Sequence, residues 1–173
     1  MRGRTLVFTG DGKGKTTAAL GMVLRAAGHG QCVLVVQFVK GDSNTGELAA
    51  CAHLPGVRIT QTGLGFIPAQ TAPAFRQHRE AAARGLKLAA EALANEPLDL
   101  LVLDEVCLAV ERGLLEEADV LAVLCQRTRP VCLVLTGRGA TPGLLAAADT
   151  ITEMRSLGHG VAHGIPAQPG VEY

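Results

Sequence analysis

The sequence predicts an α/β fold, a three-layer arrangement around a mainly parallel β-sheet, and three observations carry that expectation. Short β-rich apolar runs alternate with Ala- and Leu-rich stretches of helical length. The runs are almost continuously apolar, as in Val33-Leu34-Val35-Val36, which suits strands covered on both faces. The first run leads directly into Thr9-Gly10-Asp11-Gly12-Lys13-Gly14-Lys15-Thr16-Thr17, a glycine-rich turn that opens a helical pattern.

Taken in order, strands are expected at Thr5–Thr9, Cys32–Phe38, Val57–Thr60, Leu98–Asp104, Val131–Thr136 and Thr150–Glu153. Helices are expected at Lys15–Ala27, Ala74–Ala94 and Glu116–Gln126, with a shorter turn at Pro142–Ala147. Gly28-His29-Gly30 stops the first helix. The Gly-, Thr- and Pro-rich stretch Lys40–Pro73 is the least regular, and loops at the carboxyl ends of parallel strands are where such sheets bind ligands. Along the helix from Ala74, the residues Arg76, His78, Arg79, Glu80, Arg84 and Lys87 mark a solvated face.

Composition narrows the function classes. A chain of 173 residues fits one domain, spanning 1–173, and 48% hydrophobic residues argue against disorder. No apolar run reaches the roughly 20 residues of a membrane helix, and no export signal is visible, so a cytoplasmic protein is expected. Sixteen basic residues balance 16 acidic ones and aromatics are 3%, which disfavours a nucleic-acid footprint. The five cysteines lack C-x-x-C spacing and lie mostly in apolar runs, reading as reduced thiols with neither disulfide framework nor zinc site.

The turn after the first strand is a phosphate cradle. Successive backbone N–H groups of a glycine-rich turn converge on one anion, and the following helix adds its positive end. Thr9, Gly10, Asp11, Gly12, Lys13, Gly14, Lys15, Thr16 and Thr17 are therefore the candidate nucleotide contacts, with Lys15 reaching the outer phosphates and Thr16 holding Mg²⁺. The strict pattern has glycine where this chain has Thr9, and Gly10 and Gly12 supply the flexibility instead. A dinucleotide fingerprint read from Gly10 would need glycine at the position of Lys15 and is excluded.

A second element, Asp99-Leu100-Leu101-Val102-Leu103-Asp104-Glu105, is an apolar strand ending in two carboxylates. In a parallel sheet that end lies beside the phosphate loop, so Asp104 and Glu105 are candidate Mg²⁺ residues, either of which could contact the ion; an acidic helix cap is the plainer alternative. Arg138, after the strand Val131–Thr136, is a candidate to neutralise phosphate charge, against the alternative of a solvated surface arginine. Arg25 is a further candidate contact that a solvent-facing helix position explains equally well. His159 and His163 lie among glycines and read as ordinary loop histidines.

In order, these pieces resemble the P-loop family of ATP:corrinoid adenosyltransferases, over essentially the whole chain. The resemblance rests on Phe8–Ala19, Val36-Gln37-Phe38 with Lys40-Gly41, Gly65-Phe66, Leu103-Asp104-Glu105 and Thr136-Gly137-Arg138. It continues through Ala148-Asp149, Thr152-Glu153-Met154, Ala167-Gln168 and Gly170-Val171-Glu172-Tyr173. It implies a P-loop NTPase-like, RecA-like fold in which a reduced corrinoid attacks C5′ of ATP and triphosphate leaves. The nucleotide then lies reversed in the loop, and Lys15, Mg²⁺ and Arg138 stabilise the departing charge.

The resemblance further implies a homodimer, a flavoprotein reductant, and Phe66 as the apolar group that closes the lower corrin face and displaces the axial ligand. A hydrophobic anchor for a long loop is the other reading of Phe66. The chain departs from the family in carrying Ile67-Pro68 where members have Thr-Trp, Asp11 where many have Asn, and Gly158 where many have Lys. Little chain precedes the first strand, where some relatives carry a helix over the corrinoid; its absence would imply a more exposed substrate or a broader range of corrinoids. Two other functions fit the same loop: a small-molecule kinase, and a nucleotide-dependent corrinoid carrier without chemistry.

Overall fold

A computed structural model describes residues 3–158, 160 and 164–171. His159, His163, Glu172 and Tyr173 lie outside the described residues. Six strands form one sheet: β1 (Thr5–Thr9), β2 (Val33–Gln37), β3 (Val57–Gln61), β4 (Leu100–Asp104), β5 (Cys132–Thr136) and β6 (Thr150–Glu153). Their order is β3-β2-β4-β5-β1-β6, and every pairing is parallel. Hence the expected mainly parallel sheet is wholly parallel, and β5 separates the loop-bearing β1 from the carboxylate-bearing β4.

Helices α1 (Lys15–Gly28), α2 (Gly46–Cys51), α3 (Phe75–Asn95), α4 (Val106–Glu111), α5 (Glu117–Cys125) and α6 (Pro142–Ala146) cover both faces. The period of two along each strand divides the core. Val33, Val35, Leu100, Val102 and Val134 pack with Ala19, Val23 and Ala26 of α1 and Cys51 of α2. Leu34, Val36, Leu101, Leu103, Leu133 and Leu135 pack on the opposite face with residues of α3, α4, α5 and α6. This is the three-layer arrangement the sequence predicts. Arg76, Arg79, Glu80, Arg84 and Lys87 are exposed along α3, and Arg76–Glu80 and Lys87–Glu91 are surface i,i+4 pairs.

Two helices are absent from the sequence expectation. Helix α2 lies in the stretch expected to be irregular; it has six residues, begins on Gly46 and has no side-chain cap. Its support is tertiary, through buried Cys51, rather than local propensity. Helix α4 is a continuation of the β4 apolar run, with Val106, Cys107 and Ala109 buried. Periodicity cannot separate so short an apolar helix from strand. Cys51 and Cys107 are buried, Cys32 and Cys132 half-buried and Cys125 exposed, all as free thiols. No helix among the described residues is long and apolar enough to cross a membrane.

Candidate nucleotide site

The phosphate loop bridges β1 and α1, and three glycines shape it. Gly10 and Gly14 have φ of 93° and 119°, in the left-handed region that side chains resist. Gly12 is needed for space: a Cβ there would stand 2.7 Å from the Met154 carbonyl oxygen. The Gly12 N–H donates to that same oxygen at 2.6 Å, so the end of β6 braces the loop from beneath. Thr9 still belongs to extended β1, which explains why the chain does without glycine there. Its N–H neighbour Ala140 donates to Thr9 Oγ1 at 3.4 Å.

Gly14 caps α1 with no side-chain hydrogen bond, leaving the first-turn N–H groups facing the loop without a protein side chain to satisfy them. The Lys15 ammonium lies across the turn, donating to the carbonyl oxygens of Gly10 and Gly12, both at 2.7 Å. Burial lowers its pKa from the ordinary lysine value, with the Glu105 carboxylate pulling the other way. Arg138 stands over the tip, its Nη2 donating to the Asp11 carbonyl at 3.4 Å. Lys13 is exposed and donates to the Val171 carbonyl at 2.5 Å.

The alternation that divides the core also builds the floor. Gln37 pairs in register with Gln61 on one side and Asp104 on the other. Thr136 ends β5, one residue past the Leu103–Leu135 pair. All four side chains therefore share the α1 face at the last row of the sheet. Asp104 is 1% exposed, and its Oδ1 accepts from Thr16 Oγ1 at 2.8 Å and Thr136 Oγ1 at 2.7 Å. Its Oδ2 accepts from Gln37 Nε2 at 3.1 Å.

Glu105 has φ of 63°, and it alone of the described non-glycine residues is in the left-handed region. Its N–H donates to Thr136 Oγ1 at 2.8 Å. That turn presents the carboxylate to the cleft, where Oε2 is buried with no hydrogen-bond partner among the described residues. Burial raises the Glu105 pKa, Asp104 adds to the rise, and Lys15 and Arg138 oppose it. Asp11, Gly12, Lys13, Gly14, Lys15, Thr16, Thr17, Lys40, Glu105 and Arg138 all line one cleft of about 770 Å³. Leu20, Leu24, Ala50 and Leu54 form its apolar wall between α1 and α2.

The residues fit a divalent cation. Thr16 gives its proton to Asp104, which leaves the hydroxyl lone pairs free toward the cleft, and the partnerless oxygen of Glu105 faces the same space. With both of its oxygens accepting protein hydrogen bonds, Asp104 orients Thr16, so Glu105 is the carboxylate with an oxygen to spare.

Two candidates stand apart from this cluster. Arg25 is exposed in the last turn of α1 and is not among the residues lining the cleft. Ten residues of helix put it about 15 Å along the axis from Lys15. Phe66 is 93% exposed and also outside the cleft lining, while the adjoining Ile67 packs on the core. Ile67, not Phe66, is thus the loop's hydrophobic anchor. Met154 beneath the loop and Gln37 beside Asp104 belong to motifs that carry the resemblance but had no place in the site, and Gln61 was not singled out; a lone Gln closing the apolar run of β2 is the signal for the second.

The model of the ATP:corrinoid adenosyltransferase family BtuR/CobO/CobP matches residues 1–173. The chain belongs to that family. It is 46% identical to a corrinoid adenosyltransferase of Pseudomonas aeruginosa over 173 residues, 99% of this chain and 84% of the relative. Identity to the corrinoid adenosyltransferase of Escherichia coli K12 is 38% over 174 residues, covering 99% and 86%. Identity to the corrinoid adenosyltransferase CobA of Salmonella typhimurium is 38% over 180 residues, again 99% and 86%. In this member of the adenosyltransferase family, the phosphate loop, Glu105 and Arg138 line one cleft, with Asp104 buried beneath Thr16.

Proposed function

We propose that this chain transfers the 5′-deoxyadenosyl group of ATP to the Co(I) centre of a reduced corrinoid. The observation that carries the reading is the gathering of Lys15, Arg138, the uncapped α1 N-terminus and Glu105 around one cleft, in a chain of this family. The cobalt electron pair forms the Co–C5′ bond, the C5′–O5′ bond breaks, and its electrons leave on the oxygen of inorganic triphosphate. The barrier therefore lies in charge developing on a leaving group, which preorganised donors stabilise.

In this reading the loop N–H groups and the Lys15 ammonium hold the triphosphate, and Arg138 stabilises its charge from above. Thr9, Gly10, Asp11, Gly12, Lys13, Gly14, Thr16 and Thr17 complete the cradle. Thr16 and Glu105, with Asp104 orienting Thr16, would hold Mg²⁺, which when bound supplies positive charge to the phosphate oxygens. Phe66, exposed beside the anchored Ile67, is free to cover an apolar face of the corrinoid and exclude an axial ligand. A single domain, a homodimer, a flavoprotein electron donor and a cytoplasmic location complete the proposal; the shared sheet supports the first and family resemblance the others.

The test is an anaerobic reaction with Mg-ATP and chemically reduced cob(I)alamin, repeated with an incomplete corrinoid. A light-sensitive cobalt–carbon product with stoichiometric triphosphate is expected. ADP without that product would make the protein a kinase, and binding of both ligands without turnover would make it a carrier.

A further inference from the structure

The polar row beneath the cleft contains one side chain to which the proposed chemistry gives no part. Gln37 is 0% exposed, at the end of a strand that is otherwise Val and Leu. Its Nε2 donates to Asp104 Oδ2 at 3.1 Å and to Glu47 Oε1 at 3.3 Å. Its Oε1 accepts from Gln61 Nε2 at 3.0 Å, and Gln61 is itself placed against Thr45 Oγ1 at 3.4 Å. Two carboxylates on one side require donors, so only one orientation of the amide satisfies the site. Gln61 holds it in that orientation by occupying the carbonyl.

Glu47 stands on α2 and pairs with Lys40. Burial works against the Glu47 carboxylate, but the hydrogen bonds from Lys40, the backbone and Gln37, with the charge of Lys40, together outweigh it, and the pKa lies below the ordinary glutamate value. Lys40 and Glu47 line the nucleotide cleft. Lys40 also lines an adjoining cavity of about 360 Å³ with Gly41, Asp42, Thr45, Leu64 and Gly65. A neutral double donor bridges the two carboxylates without adding a charge that would compete for the metal.

We infer that Gln37 is a positioning residue: one buried carboxamide, clamped by Gln61, fixes Asp104 beneath Thr16 and Glu47–Lys40 on the α2 wall of the same cleft. The inference rests on the proposed nucleotide and metal site. Its mechanism is indirect. Asp104 rotated away from Thr16 would no longer take the hydroxyl proton, and the lone pairs of Thr16 would no longer be directed at the cation.

The experiment compares two affinities in the purified chain: ATP with Mn²⁺, followed by the electron paramagnetic resonance of free Mn²⁺, and ATP in EDTA, followed by calorimetry. Gln37→Met keeps side-chain length and removes both donors. It should cut the ratio of metal-bound to metal-free affinity by about tenfold. Gln61→Met, which only releases the amide, should cut the ratio by about threefold and add nothing on the Gln37→Met background.

Parallel loss of both affinities in Gln37→Met, or a ratio equal to that of a wild type that binds ATP, would overturn the role of Gln37 and leave the nucleotide site standing. A wild type that binds no ATP in either condition would overturn both. Should Gln37→Met not fold, the partly exposed Gln61→Met decides alone, and an unchanged ratio there refutes the clamp.

Discussion

The carboxylate of Glu105 should cost this protein stability, so that Glu105→Gln stabilises the fold while impairing the chemistry. Oε2 is buried with no partner among the described residues, and the negative charge of Asp104 is next along the chain. The amide of Gln would be as buried but uncharged, and a missing hydrogen bond at a charged group costs on the order of 1–2 kcal/mol more than at a neutral one. Against this stands the lost attraction to Lys15 and Arg138, but the raised pKa shows that burial and Asp104 outweigh it. A net gain of about 1–2 kcal/mol at pH 8 corresponds to a Tm about 2–8 °C higher for a chain of this size.

The gain should depend on pH with a defined sign. The folded carboxyl keeps its proton to higher pH than the unfolded one, so the native state binds more protons between the ordinary glutamate pKa and the raised value. Wild-type stability therefore falls as pH rises through that window, and the amide variant escapes that fall. Lys15 acts oppositely: its lowered pKa contributes stability that grows as pH rises toward the ordinary lysine value, on the alkaline side. Thermal unfolding of both proteins from pH 4 to 8, without nucleotide or metal, measures the difference. A variant no more stable than wild type at pH 8, or a difference that does not shrink on acidification, would refute the assignment of an uncompensated buried carboxylate.

Three further outcomes are expected. Lys15→Ala should lower kcat by at least about 100-fold through loss of triphosphate stabilisation, and near-normal turnover of the purified variant would remove that role. Phe66→Ala should leave stability within about 0.5 kcal/mol, because the ring is exposed, yet slow adenosylation from Co(II) far more than from chemically reduced Co(I); equal losses would reject axial-ligand displacement. Gly12→Ala should weaken ATP binding by tenfold or more, since the new Cβ meets backbone that no rotamer change can clear, and calorimetric titration with unchanged affinity would show the β6 brace to be dispensable.

Much of this was legible because it is local. A loop that must admit positive φ at Gly10 and Gly14 writes itself as glycine, and a strand buried on both faces writes itself as an apolar run. Strand positions were recovered to within one or two residues for the same reason. What was not legible depends on register. Gln37 meets Asp104 only because β2 lies beside β4, and Met154 meets Gly12 only because β6 flanks β1. Arg25 shows the limit of position along the chain: Leu24 lines the cleft while Arg25, one residue on and turned to another face of α1, does not.

The insertion of β5 between β1 and β4 explains why the two halves of the site can cooperate at all. With neighbouring strands about 4.8 Å apart, the loop strand and the carboxylate strand stand about 10 Å from each other, too far for direct contact between their backbones. Thr16, at the start of α1, reaches back over that gap to Asp104, and Thr136 on the intervening strand closes it from below by holding both Asp104 and the Glu105 N–H. The left-handed turn at Glu105 then has a cause: with its N–H tied to Thr136, the chain can enter α4 and still present the carboxylate to the cleft. The strain of that turn and the unpartnered oxygen lie on the same residue. In the proposed site a bound cation would partner that oxygen, and Glu105 would be the point where stability is exchanged for chemistry.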